Sequence, residues 1–355
     1  MINGENLLDT KTPEFNEHSR YSLADRIQAI AILLRPHQYY KNLLVFFGIF
    51  FSRNLFRVDL WIPMILAFIS LCLISSLNYL INDFRDMEKD RHHPEKCGRP
   101  FPSGLVSPLI GIFIALILFS ILLITIIIIP YDYYQEIYLF SSFQGEEDFE
   151  HAVIIEESKI AFILVIGALF VTSQFYSLFL KRIVFADVVT ISVNYVWRAV
   201  AGTVLISVSV SPWLIILCFI TAMLLSLAKR KGDMAILGTN AEKHKEVFKM
   251  YSSELIDQSL ATITAIELLA IFIYLVERHS TETVFIVAAL PLITFGIFRF
   301  LFLVSSNSIV SRKAERIFFD RQILIVGVII VLLFFFAIYF PNFLDNLMGI
   351  PDPKY

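Results

Sequence analysis

Nine apolar stretches divide this chain, near residues 38–56, 60–82, 105–129, 159–180, 184–206, 212–228, 258–276, 282–304 and 322–340. Each is long enough to cross about 30 Å of hydrocarbon as a helix. They predict an all-α, polytopic membrane protein of about nine transmembrane helices. The fifth stretch carries Asp187, Asn194 and Arg198, and is the least apolar of them. Composition agrees: 57% of the 355 residues are hydrophobic, against roughly 45–50% in soluble domains. With no internal repeat and no low-complexity linker, residues 21–341 read as a single transmembrane helical domain. A polar tail, 1–20, precedes it and a C-terminal tail, 342–355, follows.

The charges are segregated, and this sets an expected orientation. Lys and Arg number five between Asp83 and Gly104 and six between Lys229 and Asp257, and Lys181-Arg182 and Arg312-Lys313 lie on the same side. The loop 131–158 has no Lys or Arg and is rich in Asp and Glu. By the positive-inside bias, the N-terminus and the charged loops are cytoplasmic and the acidic loop is extracytoplasmic. The leading residues lack a basic region running into an apolar core, so no cleaved signal peptide is expected. Ahead of the first stretch, Leu23, Ile27, Ile30 and Leu34 recur at spacings of three and four, which predicts an amphipathic helix lying on the membrane surface. Arg35-Pro36 then turns the chain inward. The three cysteines, Cys72, Cys97 and Cys218, have unrelated spacings and support neither a disulfide framework nor a zinc site.

The second stretch runs without a break into Asn82-Asp83-Phe-Arg-Asp86-Met-Glu-Lys-Asp90, and from Asp83 to Arg99 the chain packs five acids and five basic side chains. At about 100° per residue, Asp90 falls roughly 20° and Asp86 roughly 60° from Asp83, so one helical face carries all three carboxylates. Asn82, Asn78 and Ser75 continue that face into the bundle. Grouped carboxylates repel unless a cation joins them, and Mg²⁺ held by Asp83, Asp86 and Asp90 together with substrate phosphate oxygens is the usual solution. Lys96 and Arg99 follow as phosphate-binding cations. The bland alternative is a helix that becomes charged on leaving the membrane, with Lys89 and Arg91 as ordinary anchors.

A second cluster follows the fourth stretch: Tyr176, Lys181 and Asp187, then Asn194 and Arg198. An Arg three turns into a span is costly unless it faces a pocket or a partner. Arg198 and Asp187 are roughly 16 Å apart along a helix, too far to pair, so Arg198 points to a substrate anion or another helix. Lys181 and Arg182 also suit simple snorkelling anchors. Arg35, Lys41 and Asn42 open the first span and Lys229, Arg230 and Lys231 close the sixth, which completes a ring of cations, although helix ends at this face favour such residues anyway.

Together these residues resemble the UbiA-type intramembrane prenyltransferases. Asn82-Asp83-x-x-Asp86-x-x-x-Asp90 looks like that family's first aspartate motif. Most members carry a second aspartate-rich motif which, with the first, holds the magnesium diphosphate of a prenyl donor. The equivalent stretch here has Tyr176, Lys181 and only Asp187. In this it is similar to one branch, the decaprenyl-phosphate phosphoribosyltransferases. The likeness also covers Arg35-Pro36-x-Gln38-x-x-Lys41-Asn42, Asp90-Arg91-x-His93-Pro94-x-Lys96-x-x-Arg99-Pro100, Arg198-Ala-x-Ala-Gly202 and Lys229-Arg230, with Cys97 at an often basic position.

The resemblance implies transfer of phosphoribose from phosphoribosyl diphosphate to a polyprenyl phosphate with Mg²⁺ as cofactor, in a bacterial cytoplasmic membrane. It implies catalytic roles for Asp83, Asp86, Asp90 and Lys181. Substrate binding would fall to Arg35, Lys41, Asn42, Asn82, Lys96, Arg99, Tyr176, Asp187, Arg198, Lys229 and Arg230. The partners expected are these substrates and the membrane, with no nucleic acid and with an oligomer open. A prenyltransferase using a prenyl diphosphate and a small acceptor is the alternative. A transporter or lipid-binding protein is the third, since intramembrane polar residues suit it equally.

Overall fold

The protein is described by a computed structural model at residues 22–92, 96–129, 158–237, 250–279, 283–306, 320–341 and 343–349. The 1–20 tail, His93 and Pro94, and nearly all of the 131–158 loop lie outside the described residues. Helix α1 (Leu23–Leu34) opens on a reciprocal cap. The Ser22 hydroxyl accepts the Asp25 N–H at 3.2 Å, and the Asp25 carboxylate accepts the Ser22 N–H at 2.9 Å. It buries Ala29 and Leu33, which adjoin the predicted stripe, half-buries Ile30 and Leu34 of the stripe itself, and leaves Ile27 and Ile32 exposed. Arg35 then takes the left-handed conformation, φ 52° and ψ 52°, and the chain turns at Pro36.

Eight helices among the described residues are long and apolar enough to cross a membrane. They are α3 (Trp61–Arg85), α5 (Pro108–Ile128), α6 (Ser158–Leu178), α7 (Ala186–Leu205), α8 (Pro212–Leu237), α9 (Ser253–His279), α10 (Thr283–Ser305) and α11 (Arg321–Tyr339). Short helices α4 (Met87–Arg91) and α12 (Phe343–Leu347) follow α3 and α11. The first apolar stretch differs from the rest. It winds as a 3₁₀ helix over Pro36–Phe46 and then as α2 (Phe47–Phe51). A 3₁₀ helix rises about 2.0 Å per residue, so the sixteen residues from Pro36 to Phe51 still reach about 30 Å, the hydrocarbon thickness.

Close packing against α7 explains where this thin helix fits. A Cβ on Gly202 would run into the Val45 carbonyl oxygen, and one on Gly48 would meet the Thr203 backbone nitrogen at 2.9 Å. The two backbones touch where only glycine leaves room. We expect Gly202→Ala to lower thermal stability in detergent by about 3 kcal/mol, near the upper end for overpacking. Gly167→Ala, where the added Cβ meets nothing within 4 Å, should leave the melting temperature unchanged.

Helices α3 and α7 form the centre, 61% buried over their apolar windows against 17–28% for the other spans. Small residues Ala199, Ala201, Gly202 and Thr203 let α7 pack against the first crossing, α3, α6 and α8. By contrast, α5 presents Leu109, Phe113 and Leu116 outward to lipid. At one end Lys159 of α6 donates to the Ile127 and Ile129 carbonyls and so caps α5. The last crossing is tied to the first by the Tyr339 hydroxyl, which accepts the Leu55 N–H at 3.1 Å and donates to the Phe50 carbonyl at 2.9 Å.

Candidate active site at the charged end of the bundle

The acidic motif spans the junction of two helices that stay hydrogen-bonded in helical register, Asp86 N–H to the Asn82 carbonyl at 2.9 Å and Asp90 N–H to the Asp86 carbonyl at 2.8 Å. Helix α3 stops at Arg85, Asp86 becomes its C-cap, and the chain restarts as α4, which carries Asp90. Asp83 and Asp90 are buried at 4% and 3% exposure and turn toward each other's partners. Arg99 Nη1 lies 2.8 Å from Asp90 and 3.3 Å from Asp83 and bridges them. Arg35 Nη2 reaches both Asp83 oxygens, at 2.7 and 2.9 Å, with its guanidinium 4.7 Å above the Tyr79 ring. That ion pair accounts for the left-handed backbone at Arg35, since a conformation rare for non-glycine residues persists where surrounding contacts hold it. Lys96 Nζ stands 3.8 Å from Asp90. Burial draws the Lys96 ammonium below its ordinary pKa, with Asp90 opposing.

Asp86 has a different ion-pair partner. Its Oδ2 lies 3.3 Å from Lys181 Nζ, carried on the short turn Leu180–Arg182 between α6 and α7. Lys181 is thus held by an ion pair to the acidic motif and is not a free snorkelling anchor. Among the described residues no three acidic or metal-ligating side chains converge on one point. The expected magnesium triad is divided, with guanidinium and ammonium groups beside the carboxylates. The donors still fit a hard cation. Asp83, Asp86 and Asp90 offer only oxygen, and Asn82 Oδ1 is buried with no partner among the described residues.

The second cluster separates into two centres. Asp187, at 0% exposure, pairs with Arg230 Nε at 2.8 Å and accepts the Tyr251 hydroxyl at 2.8 Å. Tyr176 lies close to Arg230. Arg230 sits on a helix that runs on to Leu237, beyond the apolar stretch ending at 228, so Asp233 also lies beside it, 3.9 Å away. Tyr251 and Asp233 were missed in the sequence: neither belongs to an acidic run or an apolar stripe, and only the fold brings them to Arg230.

The other centre lies deeper. Arg198 Nε donates to Asn42 Oδ1 at 2.9 Å, and its Nη1 bonds the Asn194 carbonyl one turn back. Asn42 also donates to Cys72 Sγ and accepts from Ser75. Thr172 and Asn194 join through their side chains at 2.6 Å, and Gln174 donates to Asn78 at 2.7 Å. Arg198 is buried, and no carboxylate among the described residues compensates it. It lies twelve residues into α7, about 18 Å along the axis from the rim. Lys41 is half-buried beside the Tyr40 ring and Lys229 is exposed.

Residues 43–134 match the UbiA prenyltransferase family. A solved UbiA homolog from Archaeoglobus fulgidus, bound to GPP and Mg2+, superposes with a TM-score of 0.58 at 18% identity, over 88% of this chain and 99% of that one. The fold is UbiA-type. The chain is also 25% identical, over 255 residues, to a decaprenyl-phosphate phosphoribosyltransferase of Corynebacterium glutamicum, covering 70% of this chain and 68% of that protein. An uncharacterized Sinorhizobium fredii protein, y4nM, is 28% identical over 197 residues, 56% of this chain. The chain spans 33% of that relative's length.

Proposed function

We propose that this UbiA-type protein transfers 5-phosphoribose from phosphoribosyl diphosphate to a polyprenyl phosphate and releases diphosphate. The observation that carries the reading is Lys181 beside Asp86. A cation stands across from the acidic motif. Arg35, Lys96, Arg99 and Lys181 thus surround three carboxylates, an excess of positive charge that suits a ligand with several phosphates.

In this reading the acceptor phosphate oxygen attacks the anomeric carbon, the carbon–oxygen bond to diphosphate breaks, and diphosphate leaves with the electron pair. The nucleophile is already anionic, so no side chain has to remove a proton. Magnesium, when bound, would neutralise the departing diphosphate. Asp83, Asp86, Asp90 and Asn82 would hold it. Arg99 and Lys181 would give up their carboxylate contacts and turn to phosphate oxygens. Arg35 and Lys96 would hold the remaining anionic oxygens against developing charge. The active site would then lie on the cytoplasmic side, where phosphoribosyl diphosphate is available.

Membranes containing the protein, given labelled phosphoribosyl diphosphate and a polyprenyl phosphate, should form a labelled lipid with Mg²⁺ and none with chelator. Absence of product across several lipid chain lengths sinks the proposal. The GPP-bound structural relative favours one competitor, transfer of a prenyl group to a small acceptor. That reading predicts turnover of a prenyl diphosphate instead.

A further inference from the structure

Tyr251 enters the loop before α9 and is 4% exposed. Its hydroxyl accepts the Phe185 backbone N–H at 2.8 Å, and the two rings meet edge to face at 5.7 Å. An N–H aimed into its lone pair leaves the phenol proton one charged acceptor, Asp187 Oδ1 at 2.8 Å. Burial raises the Tyr251 pKa and adjacent Asp187 adds to it, so the phenol stays a donor. Phe185 occupies φ 61° and ψ −31°, a strained position for a residue with a side chain. The phenol therefore has a fixed direction, set by a backbone group that cannot rotate away.

Asp187 passes that direction on. With Oδ1 held by Tyr251, Oδ2 faces Arg230 Nε at 2.8 Å. An arginine gripped at Nε turns its terminal nitrogens away from the grip, here with Nη1 3.9 Å from Asp233 and Tyr176 close by. We infer that Tyr251 is a positioning residue which, through Asp187, orients the Arg230 guanidinium for a ligand of the diphosphate class. The inference rests on the reading of this end of the bundle as a phosphate site. Tyr251 touches no ligand itself; it acts through Arg230.

The test uses the purified full-length protein and inorganic diphosphate with Mg²⁺, titrated by calorimetry. Tyr251→Phe keeps the ring and removes the hydroxyl, and should weaken diphosphate binding about tenfold, close to the lower end for one hydrogen bond to a charged group. In an Arg230→Met background the same substitution should have no further effect, because nothing remains to be oriented. Tyr251→Phe binding like wild type overturns the inference. So does an equal loss in both backgrounds, which marks a merely structural tyrosine. Asp187→Asn, which keeps the shape and weakens the grip on Nε, should behave like Tyr251→Phe, and normal binding by it overturns the inference as well. A wild-type protein that binds no diphosphate instead overturns the phosphate reading beneath it.

Discussion

Asp83→Asn should lower turnover by about a thousandfold, at the upper end for loss of one preorganised electrostatic group. The carboxylate is buried and partners two guanidiniums, Arg35 at 2.7 Å and Arg99 at 3.3 Å. Asparagine keeps the shape but removes the charge that balances both cations and one of the oxygens suited to a metal. Breaking a buried pair on one side costs about 3 kcal/mol, so a lower melting temperature should accompany the lost turnover. Arg35→Lys should be milder, because an ammonium still balances Asp83 but no longer lies flat on Tyr79. Initial rates and melting curves on the purified variants check both. Wild-type turnover in Asp83→Asn, at any Mg²⁺ concentration, removes the acidic motif from the chemistry.

Arg198→Met should separate stability from activity. A guanidinium buried deep in a span, with Asn42 Oδ1 and a backbone carbonyl as acceptors and no carboxylate beside it, is expensive to hold. A flexible apolar side chain of similar length removes that cost. The melting temperature should hold or rise, while turnover falls about a hundredfold because an anionic substrate group loses its partner. Thermal unfolding and initial rates on the same preparation decide the matter. A destabilised variant with normal turnover assigns Arg198 to helix packing around Asn42.

Much of this was readable from residue order. The apolar stretches anticipated the eight long helices, and the spacing of Leu23, Ile27, Ile30 and Leu34 anticipated α1. Periodicity could not show that the first crossing is a 3₁₀ helix, because its path is set by contact with Gly202 more than 150 positions away. The acidic motif was legible as chemistry but not as geometry. Helical spacing groups Asp83, Asp86 and Asp90, but not their partners: Asp86 pairs with Lys181 while Asp83 and Asp90 share Arg99. Asp187 stood out as an acid beginning a span. Its partners Arg230 and Tyr251 lie 43 and 64 positions away, and no local pattern links them. Tyr251 in particular is a single tyrosine in a loop, whose role comes from the buried carboxylate it meets.

The most direct measurement gives the purified protein two donors side by side, with Mg²⁺ present: phosphoribosyl diphosphate with a polyprenyl phosphate, and a prenyl diphosphate with a small aromatic acceptor. Lys181 opposite Asp86, where most relatives of this type carry a second acidic motif, predicts diphosphate release and a phosphoribosylated lipid from the first pair and none from the second. Turnover of the prenyl diphosphate alone contradicts the account.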